Sequence, residues 1–303
     1  PQFQRLRGVR QTGTAYLVYP GCLHTRFEHS LGTSAVARRI MTSLRRGAQI
    51  DDRQEAIVAL VALVHDVSHL PFGHTFEDER KLFPRHDTSA RLKNFLTGGE
   101  LGEAIEASGV GDEVISLLTD ETYHTPWMRQ VIASTIDADL LDYLRRDAYF
   151  AGLRQDYDDR IFSTFVIEDN RLAVDTTKMS TRTEILHLLR LRYFLTERVY
   201  YHHAKVVSGA MIAKAVELAV QDGLTEQDLY PLTDDGLLRM LADSGDDRIA
   251  RLIRNLSQRR LLKRSYTLTT AQVGRRGRDE LIATYNRSIE ARQEVEQQIA
   301  DAV

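Results

Sequence analysis

The stretch that most constrains this chain runs from Asp52 to Glu77, DRQEAIVALVALVHDVSHLPFGHTFE. Ala56 to Val64 is apolar without interruption, so a helix here is buried on all sides rather than amphipathic. Asp52 followed by Glu55 reads as its N-terminal capping box, and Pro71 as its stop. His65, Asp66, His69 and His74 then fall at the foot of the buried helix. Ionisable groups there are costly unless they are paired or bound to a metal.

The rest of the chain reads as mostly helical. Residues 1–24 carry turn signals and one short β-like run, Ala15 to Tyr19. A helix begins at Thr25, where Thr25 and Glu28 form a capping box, and it places His29 in its first two turns. A loop-rich stretch spans Leu70 to Asp87. Two shorter helices, divided by Gly98-Gly99, are expected between Thr88 and Leu118, and a further long helix from about Pro126 to Phe150. Residues 161–176 change character. β-branched residues flank Asp169-Asn170 there, the pattern of a hairpin with a polar turn. Helical periodicity returns from Thr181 to Leu218 and continues to a charged terminal segment, Arg278 to Val303, read as a solvated or oligomer-facing helix.

A chain of 303 residues with 43% apolar and 27% charged residues is an ordinary globular composition. The net charge of -3 gives no global pull toward nucleic acid, although Arg45-Arg46 and Arg275-Arg276 are local candidates for such contacts. One cysteine, Cys22, excludes an intrachain disulfide and suits a reducing, cytoplasmic compartment. Cys22 itself reads as a small buried filler. No apolar run reaches the roughly 18–20 residues a membrane span needs. The chain opens at Pro1 with nothing resembling a signal peptide.

Six of the ten histidines precede residue 90; surface histidines would spread more evenly. His29, His65, Asp66 and Asp139, drawn from three helices, make a mixed nitrogen and oxygen set suited to a divalent ion such as Mn, Fe, Zn or Mg. His69, His74 and His86 stand near carboxylates at Glu77 and Asp87, a combination fit for general acid–base work. His24 is set aside as an ordinary structural histidine. Asp139, Tyr143 and Asp147 recur at helical spacing, as do Arg192, Thr196 and Tyr200. Such stripes serve either helix packing or the binding of an anionic or nucleotide ligand.

Residues His29, then His65-Asp66, then Asp139 resemble the signature of the HD-domain metal-dependent phosphohydrolases. The segments RLRGVRQTGTAYLVYPGCLHTRFEHSLG (5–32), LVHDVSHLPFGHTFED (63–78) and IDADLLDYLRRD (136–147) resemble, more closely, the HD-domain dNTP triphosphohydrolases. The likeness implies an HD helical bundle over residues 1–210; the β insertion near 161–176 and a helical C-terminal region over 211–303 follow from the residue pattern. It implies a divalent metal held by His29, His65, Asp66 and Asp139. It further implies release of nucleoside and triphosphate, with His69, His74 and His86 lining the phosphate and His74 with Glu77 donating the proton. Arg26, Tyr143, Asp147, Arg192, Tyr200 and Gln11 match positions that contact phosphate or sugar. A nucleotide substrate and a homo-oligomer are expected, and no membrane partner. Leu140 stands where those enzymes have a phosphate-binding Lys, Thr12 where they have Leu, and Glu77 where they have Asp. Two alternatives stay open: a phosphomonoesterase or phosphodiesterase acting on nucleoside monophosphates or nucleic-acid ends, and a nucleotide-sensing HD module without turnover. A di-iron oxygenase ranks last, for want of further ligands.

Overall fold

The computed structural model describes residues 1–120, 122–286 and 288–302. Helix α1 (Arg26–Leu44) starts at the predicted Thr25–Glu28 capping box. Helix α2 (Asp52–Val64) starts one residue earlier than its sequence signature suggests. Asp51, not Asp52, is the N-cap, and it exchanges hydrogen bonds with Gln54. Ile57, Val58, Val61, Ala62 and Val64 of α2 are buried, each stabilising the fold by roughly 1–3 kcal/mol.

Pro71 does not stop α2, which ends seven residues before it at Val64. The His65 Nδ1 lies 2.8 Å from the Ala62 carbonyl, the group that a continuing helix would offer to the Asp66 N–H. A side chain competing for that acceptor ends the helix. Tighter turns follow, with the amides of Val67 and His69 reaching back three residues to Val64 and Asp66. Residues Thr75–Glu79 then form one π-helical turn.

Three short helices, not two, fill the next stretch: α3 (Ser89–Thr97), α4 (Gly99–Ala107) and α5 (Gly111–Thr119). The long helix expected over 126–150 is broken into α6 (Pro126–Gln130) and α7 (Ala138–Phe150). The cause is Asp137, whose carboxylate accepts from the amides of Ser134 and Leu140 and so caps a new helix. The predicted hairpin is present: β1 (Phe165–Glu168) pairs antiparallel with β2 (Arg171–Val174), with Glu168 opposite Arg171. Its turn residues Asp169 and Asn170 have φ of 48° and 60°, as a two-residue I′ turn requires. The β-like run expected at Ala15–Tyr19 instead begins within a 3₁₀ turn, Gly13–Leu17, packed on the later helix α9 (His203–Gln221). It finds no partner strand there; Thr14 bonds to Lys205 and Ser208 of α9.

Helices α8 (Met179–Leu195) and α9 (His203–Gln221) are joined through a π turn at Thr196–Tyr200. The short α10 (Glu226–Leu229), then α11 (Asp234–Ala242) and α12 (Asp247–Ser257), follow. The terminal segment forms α13 (Thr270–Leu281), a π turn and α14 (Ile289–Asp301), none of whose described residues is buried. Positions 287 and 303 of that segment lie outside the described residues.

Two apolar cores result. One is built on α1, α2 and α7 with α3–α6, α8 and the hairpin. The other sets Leu70, Phe72 and Phe76 against α9, α11 and α12. The turn that follows Asp66 therefore runs along the seam between them. Cys22 is fully buried in the first core, and burial, reinforced by Asp147, pushes its thiol up to about 12. Among the described residues no helix is long and apolar enough to cross a membrane.

Candidate metal centre and active site

His29 lies in the first turn of α1, His65 and Asp66 just past the end of α2, and Asp139 in the first turn of α7. The fold brings all four together. His29 Nε2 is 2.9 Å from Asp139 Oδ1 and 3.7 Å from Asp66 Oδ2. His65 Nε2 is 3.4 Å from Asp66 Oδ1 and 3.7 Å from Asp139 Oδ1. Ligand atoms of His29, His65 and Asp66 lie within 4.8 Å of one another, a group that could hold a metal ion.

The histidine tautomers suit that use. The Ala62 carbonyl can only accept, so His65 Nδ1 carries the proton and Nε2 offers a lone pair. That Nε2 is buried and has no hydrogen-bond partner. His29 Nδ1 is 2.8 Å from Asp142 Oδ2, and Arg146 clasps Asp142 through two 2.8 Å bonds. A carboxylate on the far nitrogen orients the ring and raises its basicity. Burial alone would depress the His29 imidazole, but bonds to Asp139 and Asp142 outweigh it and hold it up at about 10. Surroundings that retain a proton this strongly also favour a cation. Burial opposes ionisation of Asp66, yet Arg26, His65 and His69 keep its carboxyl well below the usual range.

A second tier lies beside the first. His69 and His86 stack with ring centroids 3.6 Å apart, and His74 stands edge-on to both at 4.8 and 5.0 Å. Glu77 is wholly buried. It lies 3.2 Å from His74 Nδ1 and 3.0 Å from His86 Nδ1, and it accepts the His86 amide at 2.8 Å. Arg91 donates to it as well. Against burial, the bonds to His74 and His86 hold the Glu77 carboxyl far below its ordinary range. Burial and the neighbouring Arg26 keep His69 neutral. Of the three imidazoles only His74 is substantially open to solvent, at 46% side-chain exposure. With Nδ1 on Glu77, its Nε2 is left to exchange a proton. Asp87 does not join this tier; it faces Arg85 at 3.1 Å, and the carboxylate expected from it at His86 is supplied by Glu77.

The third tier is partly assembled. Asp147 is buried, 2.7 Å from His24 Nε2 and 2.7 Å from the Tyr200 hydroxyl, which donates to it. Tyr143 sits edge-on to Tyr200 at 6.2 Å. Arg192 is exposed on α8, and Gln11 keeps a buried side-chain oxygen without a partner. Leu140 turns into the first core, 5% exposed. Arg26 is buried and donates to Asp66. Its other amino group passes the bare Cα of Gly73, where a Cβ would stand 2.6 Å from it.

Sequence reasoning missed Asp142, His24, Arg91 and Asp234. Asp142 could have been found, since it lies one helical turn after Asp139 on the same face. His24 was set aside, yet it is buried on Asp147 and stacks on Phe150.

Comparison with known proteins gives a consistent picture. A family model described as the HD domain matches residues 26–147, and one described as the HD associated region matches 156–303. YwfO of Bacillus subtilis, an uncharacterized protein, is 30% identical over 225 residues, covering 73% of this chain and 50% of that protein. A Dictyostelium discoideum homolog of the deoxynucleoside triphosphate triphosphohydrolase SAMHD1 is 28% identical over 295 residues, covering 86% and 55%. The chain thus spans about half the length of these curated relatives. Among solved structures, a phosphohydrolase from Bacteroides thetaiotaomicron has the same fold, with a TM-score of 0.73 at 23% identity over 96% of this chain and 79% of its own. A hypothetical protein from Aquifex aeolicus superposes with a TM-score of 0.74 at 26% identity, over 94% and 76%.

Proposed function

We propose that this chain, whose residues 26–147 match the HD domain and 156–303 the HD associated region, is a metal-dependent phosphohydrolase of nucleotides, acting on (d)NTPs to release nucleoside and triphosphate. The observation that carries this reading is the convergence of two Nε2 atoms and two carboxylates beside an imidazole tier anchored on one buried Glu.

In this reading His29, His65, Asp66 and Asp139 hold the divalent ion. When bound, such an ion supplies Lewis acidity toward a phosphoryl oxygen and acidifies water. Arg26, already paired with Asp66, adds positive charge beside the position where phosphate charge builds. Glu77 stays ionised and orients His74 through Nδ1, so His74 Nε2–H can give its proton to the leaving oxygen of the nucleoside. The bond from that oxygen to phosphorus breaks while the oxygen of water joins phosphorus, and the proton that water gives up restores the one His74 has donated. His69, held neutral by burial and Arg26, walls the phosphate together with His86. Tyr143, Tyr200 and Arg192 bind the nucleotide, with Asp147 fixing the Tyr200 hydroxyl.

One observation favours a second reading. Leu140 is buried in the core and offers no charge to a triphosphate chain, which suits a phosphomonoesterase or phosphodiesterase. Incubating the purified protein with a panel of dNTPs, NTPs and nucleoside monophosphates in Mn²⁺, with products identified by mass, separates the two. Nucleoside plus triphosphate is expected. Orthophosphate or mononucleotide as the product would establish the second reading, and no hydrolysis of any member would overturn both.

A further inference from the structure

The turn that separates His69 from His74 is held from far along the chain. It runs Leu70-Pro71-Phe72-Gly73 and is closed by the Gly73 amide on the Leu70 carbonyl at 3.0 Å. Pro71 takes its second position and Phe72, with φ of 61°, its third. A type II turn wants glycine or asparagine there; a bulkier residue in the left-handed region costs roughly 1–3 kcal/mol and persists only where its surroundings over-determine it.

The surroundings come from residues 232–234, at the start of α11. Asp234 is wholly buried. Its Oδ1 accepts the Phe72 amide at 2.7 Å, and its Oδ2 accepts the Arg10 amide at 2.9 Å. Arg5 fastens the same turn from its other end, donating to the carbonyls of Val67 at 3.1 Å, His69 at 2.6 Å and Leu232 at 3.0 Å. Thr233 packs so closely on the N-terminal segment that a Cβ on Gly8 would meet it at 2.4 Å. Three consecutive residues of the C-terminal region thus grip both the chain leading into α1 and the turn between two site histidines. The next residue of that turn, Gly73, leaves the space that Arg26 occupies.

We infer that Asp234 is a positioning residue for the phosphohydrolase site: by holding the Phe72 amide it sets the spacing of His74 from His69 and keeps Gly73 over Arg26. The inference rests on the reaction proposed above. It implies that loss of the carboxylate slows proton delivery by His74 more than it weakens metal or nucleotide binding, because His29, His65, Asp66 and Asp139 all lie outside the Leu70–Gly73 turn that Asp234 holds.

The test uses the full chain carrying Asp234→Ala, with Asp234→Asn as the conservative variant that keeps one acceptor oxygen. Each is assayed well below its melting temperature for kcat, KM, bound Mn²⁺ and amide hydrogen exchange of the peptide spanning residues 66–76. For the Ala variant, kcat is expected to fall about ten-fold or more at unchanged KM. Its Mn²⁺ content is expected to stay at the wild-type level and exchange in 66–76 to quicken, with the Asn variant recovering part of both losses. If the Ala variant does not fold, the same expectation applies to Asn alone. A folded variant with wild-type kcat and wild-type exchange overturns the inference. So does a parallel loss of kcat, KM and metal, the mark of a general structural prop. Should the wild-type protein hydrolyse none of the nucleotides, the reaction fails, and the exchange data alone decide whether Asp234 holds the turn.

Discussion

Single side chains separate metal binding from chemistry at this site. Asp66 faces His29, His65, His69 and Arg26 at once. Asp66→Ala removes a ligand and leaves Arg26 buried without its partner, an outcome that typically costs about 3–5 kcal/mol. Bound Mn²⁺ and turnover are expected to disappear together, read by metal analysis beside the nucleotide assay. His74 touches none of the four ligands and contacts Glu77, so His74→Ala should keep its metal while kcat falls by about 10²–10⁴-fold. Unchanged turnover in that variant would remove His74 from its role. His29 was legible from the capping box at Thr25–Glu28, and His65-Asp66 from their place at the foot of an unbroken apolar run; the helix start that positions Asp139 carried no such signal, because the cap at Asp137 was not recognised. Asp87 misled because adjacency in sequence to His86 did not become adjacency in space; the arm that reaches His86 is Glu77, nine positions away. Asp234 was invisible for the same reason on a larger scale, being 162 positions from the amide it holds.

At the scale of elements, the sequence was most readable where a local signal acts alone. The Thr25–Glu28 box and the Asp169-Asn170 turn both appear where expected, since capping and I′ geometry depend on a few neighbouring residues. Helix ends were less readable where side chains compete with the backbone. His65 takes the Ala62 carbonyl and stops α2 early; Asp137 caps α7 and splits a helix that periodicity alone would run together. The start of α2 offers a direct check, because Asp51 and Asp52 are neighbours with different tasks. Asp51→Ala removes the cap and should lower unfolding free energy by about 1 kcal/mol. Asp52→Ala removes only an exposed pair with Arg45 and should cost no more than about 0.5 kcal/mol. Urea denaturation midpoints decide the order, and equal losses would return the cap to Asp52.

For the whole molecule, the second core is tied to the terminal helix by charge. Arg80, just past the π turn that carries Glu77, pairs with Glu217 of α9 and with Glu296 of α14, and Lys214 bridges the same two carboxylates. Against burial, bonds from Arg80, Lys214 and Gln293 lower the Glu217 carboxyl to about 2. A depressed carboxyl binds its proton less readily in the folded chain than in the unfolded one. Its contribution is therefore complete above about pH 4.5, the ordinary value, and is lost as pH falls through about 2. Stability should drop by on the order of 2–3 kcal/mol across that window from this group. Glu217→Gln should flatten the curve of unfolding free energy against pH over the same range; a slope equal to wild type would place the acid sensitivity elsewhere.

Cys22 lies sealed behind Asp147 with its thiol protonated at every ordinary pH. A thiol-seeking dye can attack only the ionised sulfur, and only when the packing around it parts. The rate at which such a dye attaches is therefore a stopwatch for the breathing of the wall behind the Tyr200–Asp147–His24 chain, one that needs no engineered probe because the chain carries no second sulfhydryl to confuse the reading.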